Sequence, residues 1–202
     1  MGVVSAVIYI LFAAIAYLYY PSAYSPLTNW LSDLGNPIVN PSGAIFYELA
    51  GILTSIALVP FLFGTYAWNT GDRKMKILLT VSQITGLVAA ASFFMSAIFP
   101  LGINNAIHSF FSIMIFVFFG FFEVFSASAL RRKASAPRWI VYSGFLAAVV
   151  SFAIGAYSFF NHDFFLGEWI TVALLIFYVV VLVFSFKRLS QKPEELVVPT
   201  QK

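Results

Sequence analysis

Cysteine is absent from the 202-residue chain, which removes disulfides, thiolate metal sites and cysteine nucleophiles from consideration. Charge is scarce as well. Only 9% of residues are Asp, Glu, Lys or Arg, against roughly 25% in a soluble domain. With 61% hydrophobic residues, a soluble fold of this size would expose far too much apolar surface. Glycine-rich phosphate loops of the Walker or Rossmann type are missing, as is any HExxH-like metal spacing. No nucleophile elbow surrounds Ser32, Ser109 or Ser112, so a serine triad has no sequence support. Two histidines provide little for bis-histidine haem ligation, and no inverted repeat recommends a transporter.

What the chain does have is six long apolar runs, near 3–20, 43–68, 77–99, 106–130, 139–160 and 169–186. A helical span needs about 20 such residues, and the alternation of a transmembrane barrel is absent. The sequence therefore predicts an all-α polytopic membrane protein, a six-transmembrane-helix bundle over 1–188 with a flexible cytoplasmic tail over 189–202. The first run is too long for a removable signal peptide and lacks its cleavage site. It reads as a retained span.

Positive charge is missing from every second gap. All eleven Lys and Arg residues lie in the gaps after runs two and four or beyond run six: Arg73, Lys74 and Lys76, then Arg131, Arg132, Lys133 and Arg138, then Lys187, Arg188, Lys192 and Lys202. Cationic loops stay in the cytoplasm, so both termini are expected inside (N-in/C-in), in the cell membrane. This bias accounts for the basic balance, and no nucleic-acid partner is expected. Trp30, Trp68, Trp139 and Trp169 fall near span ends, where an interfacial aromatic belt belongs. Gly86 with Ala90, near Gln83, and Ala147 with Ser151 and Gly155 form small-residue faces that let helices approach closely. A second copy of the chain, or another membrane protein, is the expected kind of protein partner.

The unusual chemistry gathers in the gaps without Lys or Arg. The gap over 21–42 is long for a compact bundle, and such loops are commonly functional or folded over something. It holds Ser32, Asp33, Gly35, Asn36 and Pro37, which suit a tight turn. Glu48 lies one to two turns into the second span. His108 opens the fourth, His162 and Asp163 precede the sixth, and Glu168 lies in its first turn. Acids and Asn at helix starts serve as caps and dipole partners. His108 and Glu48 fit that role less well, because ionisable groups in the membrane zone usually face a bundle interior or a watery cavity. Ser32, Asp33, Asn36, Glu48, His108, His162, Asp163 and Glu168 are thus the candidates for a polar pocket on the outer leaflet, with Asp33, His108 and Glu168 expected to approach one another. Glu123, near the inner end of the fourth span, is expected to snorkel toward the cytoplasm or to pair with Arg131, Arg132 or Lys133.

Leu31-Ser32-Asp33-Leu34-Gly35-Asn36-Pro37, followed by Pro41-Ser42-Gly43-Ala44-Ile45-Phe46, resembles the DRAM/Frag superfamily of six-span membrane proteins. The closest likeness is to its uncharacterised prokaryotic domain-of-unknown-function relatives. Those proteins carry an Ile-Ser-Asp-x-Gly-like motif after helix one, and Leu31 stands where Ile is usual. His108 and Gly167-Glu168-Trp169-Ile170 are similar to two further family positions. The resemblance implies six helices and a role with membrane lipids, since relatives are implicated in GPI-anchor lipid remodelling, autophagy and plasma-membrane lipid organisation.

Two functions follow as expectations. One is a non-catalytic or accessory protein whose outer pocket takes a lipid headgroup, with no cofactor predicted. The alternative is a metal-dependent intramembrane lipid hydrolase or transferase, with His108, His162 and Asp163 as candidate ligands for a divalent metal.

Overall fold

The computed structural model describes residues 2–160 and 164–190. It is all-α, with no strand among the described residues. The helices are α1 (Gly2–Leu18), α2 (Ala44–Gly64), α3 (Arg73–Ile98), α4 (Asn105–Arg131), α5 (Arg138–Phe160), α6 (Phe165–Phe184) and α7 (Phe186–Ser190). A 3-10 turn over Thr65–Trp68 prolongs α2, and another forms in the first loop over Leu31–Gly35. Helices are the answer to a backbone that finds no water in hydrocarbon, since each satisfies its own N–H and C=O groups.

Five helices, α2 to α6, are long and apolar enough to cross a membrane. The first expected span forms as an apolar helix of 17 residues, shorter than these five. Their lengths and hydropathy mark a multi-pass integral membrane protein. Side chains such as Val7, Ile10, Ile56, Ile84, Leu146, Val149 and Phe177 face outward from the bundle, as a lipid environment permits. Buried hydroxyls close on carbonyls of their own helix, as Ser5 does to Gly2 O, Ser82 to Leu79 O and Thr171 to Gly167 O. They therefore pack without stranding a polar atom.

Each helix packs on the next in sequence, and α6 returns to pack on α1. The six long helices thus make a ring. Where helices touch, small residues do the work expected of them. A Cβ on Gly86 of α3 would strike Leu62 of α2 and Phe122 of α4, and Ala90, Ala147 and Ser151 are buried. Gln83 donates to the last carbonyls of α2, Leu62 O and Phe63 O, at 3.1 Å each. Gly155 breaks its stripe, because a Cβ there meets nothing within 4 Å.

At one end of the ring lie the short cationic turns. Asp72 caps α3 by accepting from the Lys74 N–H and pairs with Arg132, tying the α2–α3 turn to the α4–α5 turn. The Arg132 guanidinium holds the Asp72 carboxyl below its usual value. Trp68 is fully buried at this end against Phe186, with Leu189 beside the same core. It is covered by α7, whereas Trp139 is exposed as a belt residue would be. Burial of Leu189 carries the packed chain one residue past 188; residues 191–202 lie outside the described ones.

Glu123 departs from the expectation. It points inward, 1% exposed, and accepts from Ser151 Oγ at 3.3 Å. Position 123 shares a face with Phe119, Ser126 and Leu130, all buried, by the three- and four-residue spacing of a helix. Ser126 Oγ in turn bonds Tyr178 OH at 2.9 Å, so α4, α5 and α6 are joined by a buried polar cluster.

At the opposite end the loop over 21–42 folds back on the bundle. Leu31 and Leu34 are buried with Tyr9, Ala16 and Ala50. Its clasp is Asn40, fully buried, whose Nδ2 donates to Ala16 O at 3.1 Å and to Leu34 O at 2.8 Å. Asn40→Ala leaves both carbonyls short of a donor. The expected result is a loss of about 1–3 kcal/mol in thermal unfolding in detergent, with faster proteolysis within 21–42.

Candidate functional site

The loop end of the ring is where the sequence candidates meet. Asp33 Oδ2 accepts from the Trp30 N–H at 3.0 Å, closing the 3-10 turn on itself. The nearby Asn29 amide also favours the charged form of this carboxylate. Asn36 Oδ1 accepts from the Ile38 N–H at 3.0 Å, and Gly102, at φ +90°, backs directly onto Asn36. A side chain at 102 would have neither the space nor the backbone conformation. Asp33 and Asn36 therefore build the loop. Burial pushes the Asp33 carboxyl above its usual value, against the opposing pull of those hydrogen bonds.

Ser32 faces the other way. Its backbone N–H and its Oγ–H both donate to Glu168 Oε2, at 3.2 and 3.3 Å, seating the loop on the first turn of α6. Trp169 Nε1 adds a bond to Asn29 O at 3.1 Å, and Trp30 packs edge-on to Phe165 at 5.0 Å. Across from this contact, His108 is 7% exposed. Its Nδ1 lies 3.1 Å from Ser96 O and 3.0 Å from Phe99 O. Both partners are carbonyl acceptors, so Nδ1 carries the hydrogen. In the neutral ring, Nε2 is then the atom with a lone pair to offer.

A cavity runs from this point into the ring. Its walls come from α1, α2, α3, α4 and α6 and include Ser32, His108 and Glu168. It is lined from Tyr47 to Leu58 on α2, from His108 to Phe119 on α4 and from Glu168 to Val179 on α6. Each stretch is eleven steps of helix, or about 16 Å. His108 and Glu168 lie at the loop end, with a Tyr9–Tyr47 hydroxyl pair at 2.9 Å, and the deeper Ser5 and Thr54 hydroxyls are spent on Gly2 O and Ser5 O. Leu58, Phe119, Leu175 and Val179 line the far end. This shaft has about 70 Å³ of free space and adjoins an open chamber of about 530 Å³. Ser32, His108, Ser112, Phe116 and Glu168 wall both; Trp30, Leu101, Asn105, Ser109, Ile113 and Gly155 complete the chamber. On the other side, Ser32 and His108 share a small cleft with Glu48.

Of the sequence candidates, then, Ser32, Glu48, His108 and Glu168 share walls, while Asp33 and Asn36 support the loop. His162 and Asp163 lie outside the described residues. Among the described residues, no group of three or more His, Asp or Glu is placed to hold a metal ion. Tyr9, Tyr47, Ser96 and Asn105 joined the site without having been singled out. Nothing in their local sequence marks them, since a Tyr inside an apolar run reads as filler.

A match to a protein family covers residues 3–187, and that family is described as a protein of unknown function, DUF998. The chain belongs to the DUF998 family. No curated protein matches it. No solved structure matches it either.

The raised Asp33 value makes a pH prediction. The folded loop binds this proton more tightly than the unfolded chain, so the associated stabilisation is complete below the ordinary carboxylate value and is lost as pH rises through the raised one. The thermal stability of the protein relative to Asp33→Asn should fall as pH increases from about 4. Parallel melting curves of the two across that range are the measurement.

Proposed function

We propose that this protein is a six-span protein of the cell membrane, with both termini cytoplasmic, that binds a single-chain lipid in the shaft. The observation that carries the reading is the shaft's shape and grading: three helices line it over the same eleven steps, with His108 and Glu168 at the loop end and, in depth, mainly apolar side chains beside the Ser5 and Thr54 hydroxyls, which are spent on backbone carbonyls. Ligand sites are commonly concave and mostly apolar with a few placed polar groups. A tail lies along Leu58, Phe119 and Val179, and the head stays near Ser32, His108 and Glu168. Gly155, bordering the chamber with empty space at its Cβ, leaves α5 thin where a lipid would pass. The likeness of the first-loop motif to DRAM/Frag proteins supports the same class of ligand.

Orientation follows from charge. The eleven Lys and Arg residues favour retention of their gaps in the cytoplasm, which leaves the shaft's polar end in the outer leaflet. Cysteine labelling tests this on a chain with no native cysteine. An impermeant thiol reagent on intact cells should modify Ser25→Cys and spare Thr70→Cys and Ala134→Cys. The reverse pattern defeats the orientation.

The lipid reading predicts that the protein, purified in mild detergent, retains an acyl-bearing molecule in native mass spectrometry. Val172→Phe, which fills the shaft, should lose at least half of it while melting no lower than the native protein. Undiminished retention in that folded variant would place the lipid elsewhere. The second reading, a metal-dependent lipid hydrolase or transferase, draws support from the fixed tautomer of His108, the arrangement that metal-binding and general-base histidines share. Stoichiometric divalent metal in the same purified sample would favour it.

A further inference from the structure

We infer that the polar end of the shaft selects a lipid head that donates hydrogen bonds, a hydroxyl or an ammonium, and discriminates against phosphate and carboxylate heads. This rests on the reading of the shaft as a lipid site.

The first ground is the use already made of the donors there. Both donors of Ser32 go to Glu168. The Nδ1 hydrogen of His108 goes to backbone carbonyls, and the Trp169 indole N–H goes to Asn29 O. The Ile107 N–H in the first turn of α4 goes to Asn104 Oδ1. Two strong acceptors face the space, the Glu168 carboxyl and Nε2 of the His108 ring, while the donors left over there are uncharged, the hydroxyls of Ser96, Ser112 and the Tyr9–Tyr47 pair and the Trp30 indole. Asn105, Ser109 and Ser112 add rim groups that either donate or accept.

The second ground is charge. No Lys or Arg occurs in 18–43 or 99–105, the described segments that lie at this end. An anionic head would sit beside Glu168 with no Lys or Arg among the described residues there, and whenever that carboxyl is ionised the two like charges repel far more strongly than in water. An ammonium there gains a charge-assisted bond, and a hydroxyl gains a neutral one. Beyond the polar end the shaft is walled mainly by apolar side chains, so the tail contributes equally whatever the head. Selectivity is left to the mouth.

The test uses the full-length protein in nanodiscs of uncharged lipid, with four probes of one chain length: a primary alkylamine, a monoacylglycerol, a fatty acid and a lysophosphatidic acid. Binding is read by native mass spectrometry and thermal shift. The amine and the monoacylglycerol should bind at least about tenfold tighter than either anionic probe, the scale of one hydrogen bond to a charged group. Glu168→Gln should weaken the amine by about tenfold and the monoacylglycerol by much less, which separates an ammonium from a hydroxyl ligand. Glu168→Gln also touches the loop contact, so Ser109→Lys at the exposed chamber rim is the second variant. It should raise affinity for the anionic probes and leave the monoacylglycerol unchanged. Equal or tighter binding of the anionic probes to the native protein overturns the head assignment alone. Absence of binding by all four overturns the lipid reading with it.

Discussion

The two hydrogen bonds from Ser32 to Glu168 Oε2 hold together parts of the chain separated by more than a hundred residues. They join the first loop to the last long helix at the seam where α6 closes on α1. Without that seam the ring has an open side. In hydrocarbon, apolar contact alone does not distinguish a neighbouring helix from lipid, so small-residue packing and polar bonds decide which helices meet. Here the polar bond also determines where the cavity begins, because the carboxyl that anchors the loop is part of its wall.

A ring of six helices around a shaft leaves a division in the core. One cluster, around Leu62, Leu79, Phe122 and Leu182, lies toward the cationic turns. The other, around Tyr9, Leu31, Leu34 and Ala50, lies under the first loop. Residues of both line the shaft, among them Leu58, Phe119 and Val179 from the first and Tyr9, Tyr47 and Val172 from the second. The buried cluster of Glu123, Ser126, Ser151 and Tyr178 joins α4, α5 and α6 on the far side from the loop. The space between α4 and α6 is therefore tied near one end and open to a ligand near the other.

Much of the architecture was legible because it follows from one-dimensional quantities. Run length gave all six long helices to within four residues at each end. The boundaries moved at α3 and α6, which begin before their apolar runs. Asp72 caps the first of these with a polar turn, and hydropathy does not see a polar turn as helix. The turn chemistry of Ser32 to Pro37 and the burial of Leu31 and Leu34 were likewise readable, since composition and loop length both pointed to a folded segment. Glu123 was misjudged because its nearest opposite charges in sequence lie beyond the inward face of α4, and facing depends on neighbours that a single helix does not contain.

Composition by itself determined that this is a helical membrane protein, and the placement of charge separated its short cationic turns from the long loop, His108 and Glu168. Hydrocarbon allows few backbone solutions, and charge chooses between two orientations. Only the tertiary structure decided which polar residues work together. Asp33 and Ser32 are adjacent in sequence, yet one carboxylate closes its own turn and the other residue reaches α6. That split depends on the 3-10 turn presenting consecutive side chains to different surroundings, and on Glu168 arriving from a helix 136 residues away. The pairing of His108 with the carbonyls of Ser96 and Phe99 is of the same kind. Backbone acceptors leave no signature in a sequence, so the orientation of its ring is settled by packing alone.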